Sequence, residues 1–380
     1  MAARPTVFVH IGAPKTGTTY LQSILHSNRH ALKRAGLLYP GTQHAHFWES
    51  QDLRGMRFHG DADRHVAGAW GRLVREIQAW PGRSLIDHES LGSAGRPVIR
   101  RVLTDLAFAD IHVVITARDL ARQLPAMWQE RIKNASTESY AEFLAAVRAE
   151  PGQRDRTARR FWANHDVPEI LARWGRDLPP ERVHVVSVPP AGADPGLLWR
   201  RFAMLLGLDP DNYQSRTSGA NTSLGAAEAA VLRRFNAAIA EHDIPWPVYA
   251  AVIKHDLAPA LAARRGAAIE LPESVYTWAV GWSEQAVKRL HRAGYDIVGD
   301  LDELIPRGRP AGLDPDAAPA AEQVEAAAAG MASLAAVITD SRLGRSALRR
   351  AQRGPVARKV EDIVGRVPLL GKLRDAYRRR

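Results

Sequence analysis

Residues 6–22 read TVFVHIGAPKTGTTYLQ and combine three kinds of segment in a short space. An apolar, β-rich run (6–11) leads into a loop with glycines at positions 12 and 17, and helical spacing begins at Thr18. A loop between a strand and a helix directs backbone N–H groups and the helix N-terminus toward one point, where phosphate or sulfate binds. The stretch therefore predicts an anion-binding loop inside an α/β fold.

The spacing in this loop departs from that of the nucleotide-binding P-loop, G-x-x-x-x-G-K-[ST]. Gly12 and Gly17 keep the glycine spacing, and Thr19 occupies the Ser/Thr position. Thr18 stands where the P-loop lysine belongs, and the lysine occurs earlier, as Lys15. We therefore expect a loop that keeps the anion-binding backbone but carries its positive charge at a different point.

Strand and helix patterns alternate over the first 190 residues. Further strand candidates lie at 83–87, 111–116 and 182–188, and helical spacing occurs at 18–35, 67–80, 96–108, 120–133, 140–148 and 167–178. Such alternation is typical of a mostly parallel sheet covered by helices. The sequence thus predicts an α/β, P-loop-like three-layer fold with a central, mostly parallel sheet flanked by helices, plus a helical C-terminal extension.

The second half of the chain has a different character. Helical patterns dominate at 195–206, 225–241, 249–264 and 274–293, and residues 306–319, rich in Pro, Gly, Asp and Ala, predict a linker before an Ala-rich helix at 322–339. We expect one α/β domain over 1–310, with a sheet-forming part at 5–190 and a helical part at 191–306. A linker and helix (311–340) and a basic tail (341–380) would follow.

Composition excludes several classes of protein. With 46% hydrophobic and 24% charged residues, the chain of 380 residues is typical of a globular protein. The absence of cysteine excludes disulfides, thiolate metal sites and a cysteine nucleophile. Residues 341–380 hold 13 Lys/Arg and 3 Asp/Glu, which accounts for +10 of the net charge of +11. Because the rest of the chain is nearly neutral, a nucleic-acid partner is not expected.

Sequence features also bear on location. We expect a cytoplasmic protein, since the chain has no signal-peptide pattern and no uncharged apolar run of about 18 residues. Residues 360–377 mix apolar spacing with basic side chains. This segment either lies on an anionic inner-membrane surface, attracts an anionic acceptor, or is a flexible solubilising end. The sequence does not indicate the oligomeric state.

The segment PKTGTT (14–19) resembles the 5′-phosphosulfate loop of sulfotransferases that use 3′-phosphoadenosine-5′-phosphosulfate (PAPS). The resemblance implies that Lys15 contacts the oxygen that bridges phosphate and sulfate, where negative charge grows as the sulfuryl group departs. An ammonium placed there stabilises the transition state, and no metal is needed. It also implies that the amides and hydroxyls of the loop hold the 5′-phosphosulfate; these residues are Pro14, Lys15, Thr16, Gly17, Thr18 and Thr19.

A second element of that family, a strand that ends in Arg with Ser eight residues later, binds the 3′-phosphate. Arg118 follows the strand candidate at 111–116 closely, as this element requires. Eight residues after Arg118, however, the chain has Ala126 and not Ser. Gln123, Gln129 or a backbone amide could take over this contact. The resemblance, to actinobacterial sulfotransferase-like proteins, spans residues 5–306. It also implies nucleotide contacts from Asn221 and Ser223, for which helix N-capping is the alternative.

Two stretches offer the general base that sulfuryl transfer to a hydroxyl requires. In QHAHFWE (43–49), His44 and His46 match a glutamate and a histidine that precede an aromatic pair in heparan-type sulfotransferases. In LIDHES (85–90), Glu89 could take the proton while His88 orients it or the acceptor. Lys133 could bind sulfate or an acidic acceptor, or be a solvated lysine on a helix face.

The resemblance implies transfer from PAPS to a hydroxyl or amine on a carbohydrate, glycolipid, lipid or metabolite. The alternative enzyme is a P-loop phosphotransferase or NTPase that uses Mg-ATP, with Asp87 as the magnesium ligand. Thr18 disfavours it, because the lysine that would reach the β- and γ-phosphates is missing there. A catalytically degenerate nucleotide-binding module is a third possibility, although both Lys15 and Arg118 are retained.

Overall fold

The computed structural model describes residues 4–41, 46–56, 65–213, 223–309 and 311–340. Its strands are β1 (Thr6–His10), β2 (Leu37–Leu38), β3 (Arg83–Asp87), β4 (Asp110–Ala117), β5 (Val183–Ser187) and β6 (Asp296–Val298). They form one sheet in the order β2-β3-β1-β4-β5-β6, in which each neighbouring pair is parallel. The predicted α/β fold with a central parallel sheet between helices is confirmed.

Helices follow most of the strands and make up the second half of the described chain. They are α1 (Thr18–Ser27), α2 (Arg29–Arg34), α3 (Phe47–Leu53), α4 (Ala69–Gln78), α5 (Arg96–Asp105), α6 (Leu120–Lys133), α7 (Tyr140–Arg148), α8 (Arg156–His165), α9 (Val167–Trp174), α10 (Leu197–Leu205), α11 (Ala226–Ile239), α12 (Trp246–Tyr249), α13 (Ala258–Ala262), α14 (Glu273–Ala293) and α15 (Ala320–Asp340). A π-helical segment, Ala250–Leu257, joins α12 to α13.

Side chains of the central strand β1 alternate between the two faces of the sheet. Val7 and Val9 join a core that includes buried residues of α4, α5 and α9, whereas Phe8 joins a second core with α1 and α10. Both faces are therefore covered by helices, which explains why the strands are apolar without strict alternation of polar residues.

Several elements differ from the sequence prediction. The edge strands β2 and β6 have two and three residues, which is too short for a period of two to be recognised. The helix predicted at 18–35 is interrupted at Asn28, whose side-chain amide donates to the carbonyl of Ile24. Helices α3 and α8 were not predicted. Helix α8 contains three arginines, and its apolar face around Phe161 and Trp162 is too short to show a helical period in the sequence.

A third core lies in the helical part and joins α6, α7 and α8 to α11, α13 and α14. The segment predicted as a linker is tied to this part: Leu313 bridges to Ile269, and Asp316 lies 3.5 Å from Arg233. Helix α15 also packs here through Ala326. Among the residues that the structure describes, no helix is both long and apolar enough to cross a membrane. The basic tail, 341–380, lies outside the described residues.

Candidate functional site

The strand order brings three loops to one edge of the sheet. Strand β1 lies between β3 and β4, and all three are parallel. The loop after β1 therefore lies beside the turn that carries His88 and Glu89, on one side, and beside Arg118 on the other. Ligands of open α/β sheets bind at this carboxyl edge.

Two glycines give the loop after β1 its shape. Gly12 has φ +121°, and a Cβ there would lie 3.1 Å from the carbonyl oxygen of Glu89. Gly17 has φ +90°, and a Cβ there would overlap the side chain of Leu198. Both positions thus need glycine for backbone conformation and for close approach. Gly12 in particular lets the loop pack directly on the backbone of Glu89.

Helix α1 opens its N-terminus toward this loop. Gly17 is its N-cap residue, and no side chain caps the helix. The first intrahelical bond runs from the amide of Leu21 to the carbonyl of Gly17, so the preceding amides have no carbonyl partner within the helix. Thr18 is buried and Thr19 is exposed at this end. Open amides and the positive end of the helix dipole favour an anion here.

Side chains predicted to contact the donor also hold the loop. The hydroxyl of Thr16 is buried, donates to the carbonyl of Ala13 at 2.5 Å and lies 2.5 Å from Oγ1 of Thr116. The side-chain amide of Gln123 is buried and donates to the carbonyl of Pro14 at 2.5 Å. The amide of Gln123 is thus committed to the loop. It does not fit the predicted role as the replacement contact for the 3′-phosphate.

A buried histidine–aspartate pair lies beneath the loop. Nδ1 of His10 is 2.8 Å from Oδ1 of Asp87, and Nε2 of His10 is 3.2 Å from Oγ1 of Thr116. Both residues of the pair are fully buried. Asp87 is therefore part of the support of the loop. His10 contacts Oδ1 of Asp87, whereas the buried Oδ2 of Asp87 has no hydrogen-bond partner among the described residues, so the phosphotransferase alternative is disfavoured by Thr18 and not by Asp87.

Arg118 lies against the loop and pairs with no carboxylate among the residues that the structure describes. Its Nη1 donates to the carbonyl of Lys15 at 3.1 Å, and in this described part of the chain its buried Nε meets no hydrogen-bond acceptor. The adjacent Asp119 caps α6 and pairs with Arg122 instead. Burial, and after it the charge of Arg122, lower the pKa of Arg118 to about 10 despite Asp119, so the guanidinium stays charged at neutral pH. An anion bound next to this partly buried charge would offset the cost of its burial.

Lys15 belongs to a cluster of three lysines around one carboxylate. Its Nζ lies 2.6 Å from Oε2 of Glu130, and Nζ of Lys254 lies 3.0 Å from Oε1. Burial alone would raise the pKa of Glu130, but Lys15 and Lys254 lower it to about 2. Burial and the charge of Lys15 lower the pKa of Lys133 nearby. The cluster carries an excess of positive charge beside the loop.

His46 is placed where it cannot act as the base. It is 1% exposed, its Nδ1 accepts the amide of Asp87 at 2.9 Å, and its Nε2 donates to the carbonyl of Pro40 at 2.9 Å. Burial lowers its pKa to about 4, although Asp87 opposes this. Because both ring nitrogens are used, the predicted catalytic role does not fit, and His46 ties the start of α3 to β3. His44 lies outside the described residues.

The turn after β3 presents His88 and Glu89. Nδ1 of His88 accepts the amide of Ser90 at 3.2 Å and lies 2.8 Å from its hydroxyl. Burial lowers the pKa of His88. Because Nδ1 accepts the amide hydrogen of Ser90, the neutral ring carries its hydrogen on Nε2. The carboxylate of Glu89 is partly buried and lies 3.4 Å from the side-chain amide of Gln22 in α1. Glu89 can accept a proton, and His88 can donate a hydrogen bond.

Both residues line a cleft of about 510 Å³. Pro14 of the loop and Glu130 of the lysine cluster line it as well, together with residues of α7 and α8. The volume is that of ordinary small-molecule sites. This cleft therefore has room for a small molecule next to the loop.

Ser223 begins the described chain after a gap, beside α6. The amide of its neighbour Leu224 donates to Oε1 of the buried Gln129 at 2.8 Å. Gln129 lies three residues after Ala126, and residues three apart share a helix face. The oxygen of Gln129 is thus taken by the backbone, while Ser223 is exposed nearby. Asn221 lies outside the described residues.

No protein-family model matches this chain, and no curated protein matches it. Among solved structures, the chain is similar to a crystal structure of a sulfotransferase from Alicyclobacillus acidocaldarius. The two share 20% sequence identity with a TM-score of 0.38, over 63% of this chain and 95% of that one. A similarity this distant carries no weight for activity, so a function has to rest on the site itself.

Sequence reasoning missed Glu130, Lys254 and His10. Glu130 and Lys254 are 124 positions apart and meet only through the packing of α6 against the π-helical segment. No local spacing could have paired them. The sequence offers one weak signal for this cluster, namely that Glu130 is a charged residue in the helix that follows Arg118.

Proposed function

We propose that this protein is a PAPS-dependent sulfotransferase. The observation that carries the proposal is Arg118, a partly buried guanidinium that lies against the carbonyl of Lys15 and has no carboxylate partner in the described part of the chain. Open helix amides begin next to it, after Gly17. Two neighbouring anion sites suit a nucleotide with separate 5′- and 3′-phosphates. The resemblance of residues 14–19 to the phosphosulfate loop supports the same donor.

In this proposal the loop amides, with Thr18 and Thr19, hold the 5′-phosphosulfate, and Arg118 binds the 3′-phosphate. The hydroxyl of Ser223 supplies the contact that Ala126 lacks, because Leu224 anchors this segment to α6. Two observations support this assignment. Leu224, the neighbour of Ser223, bonds to Gln129, which lies three residues after Ala126 on α6, and Ser223 is exposed.

Lys15 acts on the leaving group. On donor binding its ammonium moves from Glu130 to the oxygen that bridges phosphate and sulfur, while Lys254 keeps Glu130 neutralised. In the transfer step the acceptor oxygen bonds to sulfur, and the bond from sulfur to the 5′-phosphate oxygen breaks. The electron pair of that bond stays on the phosphate. Stabilising this charge in the transition state accelerates the reaction.

Glu89 takes the proton of the acceptor hydroxyl. It lines the cleft and adjoins Gly12 of the loop, so its carboxylate is near both partners of the reaction. His88 donates from Nε2 to the acceptor oxygen and positions it, since its Nδ1 is occupied by Ser90. The base must lie within hydrogen-bond reach of the proton that it removes.

The acceptor is a hydroxyl or amine of a carbohydrate, glycolipid, lipid or metabolite. We further propose a cytoplasmic enzyme whose basic tail, 341–380, touches anionic inner-membrane lipid. Loss of residues 341–380 should then abolish co-sedimentation with phosphatidylglycerol vesicles. Unchanged co-sedimentation would contradict membrane contact through the tail.

Transfer of radiolabel from PAPS to a panel of these acceptors tests the proposal. We expect label transfer by the wild type, and a loss of roughly 10²–10⁴-fold in Glu89→Gln, as for removal of a general base. The control Glu150→Gln changes an exposed glutamate and should transfer normally. Label that remains on PAPS while Mg-ATP serves as a phosphoryl donor would overturn the proposal.

A further inference from the structure

One wall of the cleft beside Glu89 is a polar face of α8. Arg156, Arg160 and Asn164 are four residues apart along the helix and all line the cleft. Residues with this spacing lie on one face of a helix. An acceptor bound at Glu89 therefore shares its cleft with two guanidinium groups.

These two guanidinium groups are exposed and form no ion pair with any residue that the structure describes. Two arginines next to them in the chain, Arg154 and Arg159, make contacts within the protein. Arg154 lies 4.9 Å from the ring centroid of Trp162, and Arg159 donates to the carbonyl of Arg154 at 2.9 Å. The two arginines that face the cleft, Arg156 and Arg160, are thus the ones left without a partner.

The other charges of the cleft are compensated. Arg131 lies 2.7 Å from Glu138 and also donates to the hydroxyl of Thr157. Glu130 is neutralised by Lys15 and Lys254. The unpaired charges of the lining are therefore one carboxylate, Glu89, and two guanidinium groups on α8, and the excess positive charge of the lysine cluster lies beside them.

A third positive charge, Arg54, lies next to the cleft without lining it, beside Ser90. Arg54 donates to the carbonyl of Ser90 at 2.5 Å and to the hydroxyl of Ser93 at 3.1 Å, so it is attached to the turn that carries Glu89. Local burial and the charge of Arg160 lower the pKa of Arg54, which means that these guanidinium groups repel each other. An anion close to Arg54 and Arg160 would relieve that repulsion.

We infer that the acceptor carries a negative charge of its own, as a carboxylate, sulfate or phosphate, in addition to the hydroxyl that is sulfated. The hydroxyl lies at Glu89, and the anionic group lies at Arg156 and Arg160 of α8, on the side from which Arg54 approaches Arg160. This inference rests on the proposed function, because it names the acceptor class of the same site. Planar guanidinium groups suit such oxyanions.

Calorimetry with the loop saturated by 3′-phosphoadenosine-5′-phosphate (PAP) tests the inference. The probes are glucuronic acid, 4-hydroxybenzoic acid and glycerol 3-phosphate, each compared with its neutral methyl ester or parent alcohol. The proteins are the full-length wild type, the double variant Arg156→Gln/Arg160→Gln, and the control Arg159→Gln on the same helix. Low ionic strength keeps the charges unscreened.

We expect at least one acid to bind about tenfold more tightly than its neutral counterpart in the wild type, an effect typical of a charge pair in a cleft. Arg159→Gln should keep this preference, and the double variant should lose it while its affinity for PAP stays unchanged. No preference in the wild type, or the same preference in the double variant, would overturn the inference. Failure of the wild type to bind PAP would overturn the proposed function, and this inference with it.

Discussion

Glu130 holds the ammonium groups of Lys15 and Lys254 at once, at 2.6 and 3.0 Å. In the proposed mechanism, Lys15 has to leave this carboxylate before it can reach the donor. The ion pair therefore competes with donor binding, and its strength sets how readily the loop accepts an anion. Partly buried pairs of this kind contribute on the order of 1 kcal/mol.

The variant Glu130→Gln should bind PAP roughly fivefold more tightly, because a neutral amide holds the ammonium of Lys15 more weakly and about 1 kcal/mol of competition is lost. Calorimetry at low salt measures the change in dissociation constant. The control is Glu138→Gln, which removes the partner of Arg131 and leaves the lysine cluster intact. Weaker binding of PAP by Glu130→Gln would mean that Lys15 is not held back by this pair.

At the scale of elements, the loop after β1 and the turn after β3 act as one unit. Gly12 packs against the backbone of Glu89, and the side chain of Gln22 reaches from α1 to the same glutamate. The loop proposed to bind the donor and the residue proposed as base are therefore positioned by direct contact. A change in their separation should alter transfer more than it alters stability.

Gly12→Ala should reduce transfer from PAPS by at least tenfold while the protein remains folded. The added Cβ has to fit at φ +121° and 3.1 Å from the carbonyl oxygen of Glu89, so the loop and the turn are pushed apart. Radiolabel transfer gives the rate, and circular dichroism checks the fold. Gly152→Ala is the matched control, since its Cβ meets no atom within 4 Å. Normal transfer by Gly12→Ala would show that this close approach is not needed.

The elements that sequence analysis predicted are those whose signal is local. The run at 6–11, the loop and the start of α1 follow one another in the chain, and a parallel sheet then determines where Arg118 and Glu89 meet the loop. Tertiary contacts decide the rest. The carbonyl of Pro40 and the amide of Asp87 occupy His46, and this depends on a packing of α3 that no spacing indicates.

Across the whole molecule, buried histidines link stability to pH. His46 and His165 are buried, and burial lowers their pKa values to about 4 and about 3. In the unfolded chain both titrate near 6.5. At pH values between the folded-state and unfolded-state pKa of each histidine, the unfolded state binds more protons than the folded state. The free energy of unfolding therefore rises with pH in this range. Their contribution is fully present above about pH 7 and is lost as the pH falls toward 4.

The free energy of unfolding should therefore fall by roughly 1.4 kcal/mol per pH unit for each of these histidines between about pH 6.5 and 4.5. Urea unfolding measured at several pH values gives the slope. His46→Gln should reduce it by about one such increment, since glutamine keeps an acceptor and a donor but does not titrate. His255→Gln, at an exposed position, should leave the slope unchanged. Equal slopes for wild type and His46→Gln would contradict the buried, neutral state of His46.

The most direct test of the account is the binding of PAP without magnesium, compared with Mg-ATP, by calorimetry on the wild type and Arg118→Ala. Two anion sites, the loop and Arg118, predict micromolar binding of PAP that weakens by one to two orders of magnitude in Arg118→Ala, as for loss of a charge-assisted hydrogen-bonding partner. Arg159→Ala should bind PAP as the wild type does. Preference for Mg-ATP, or PAP binding that is insensitive to Arg118, would contradict the central claim that this edge of the sheet is built for PAPS.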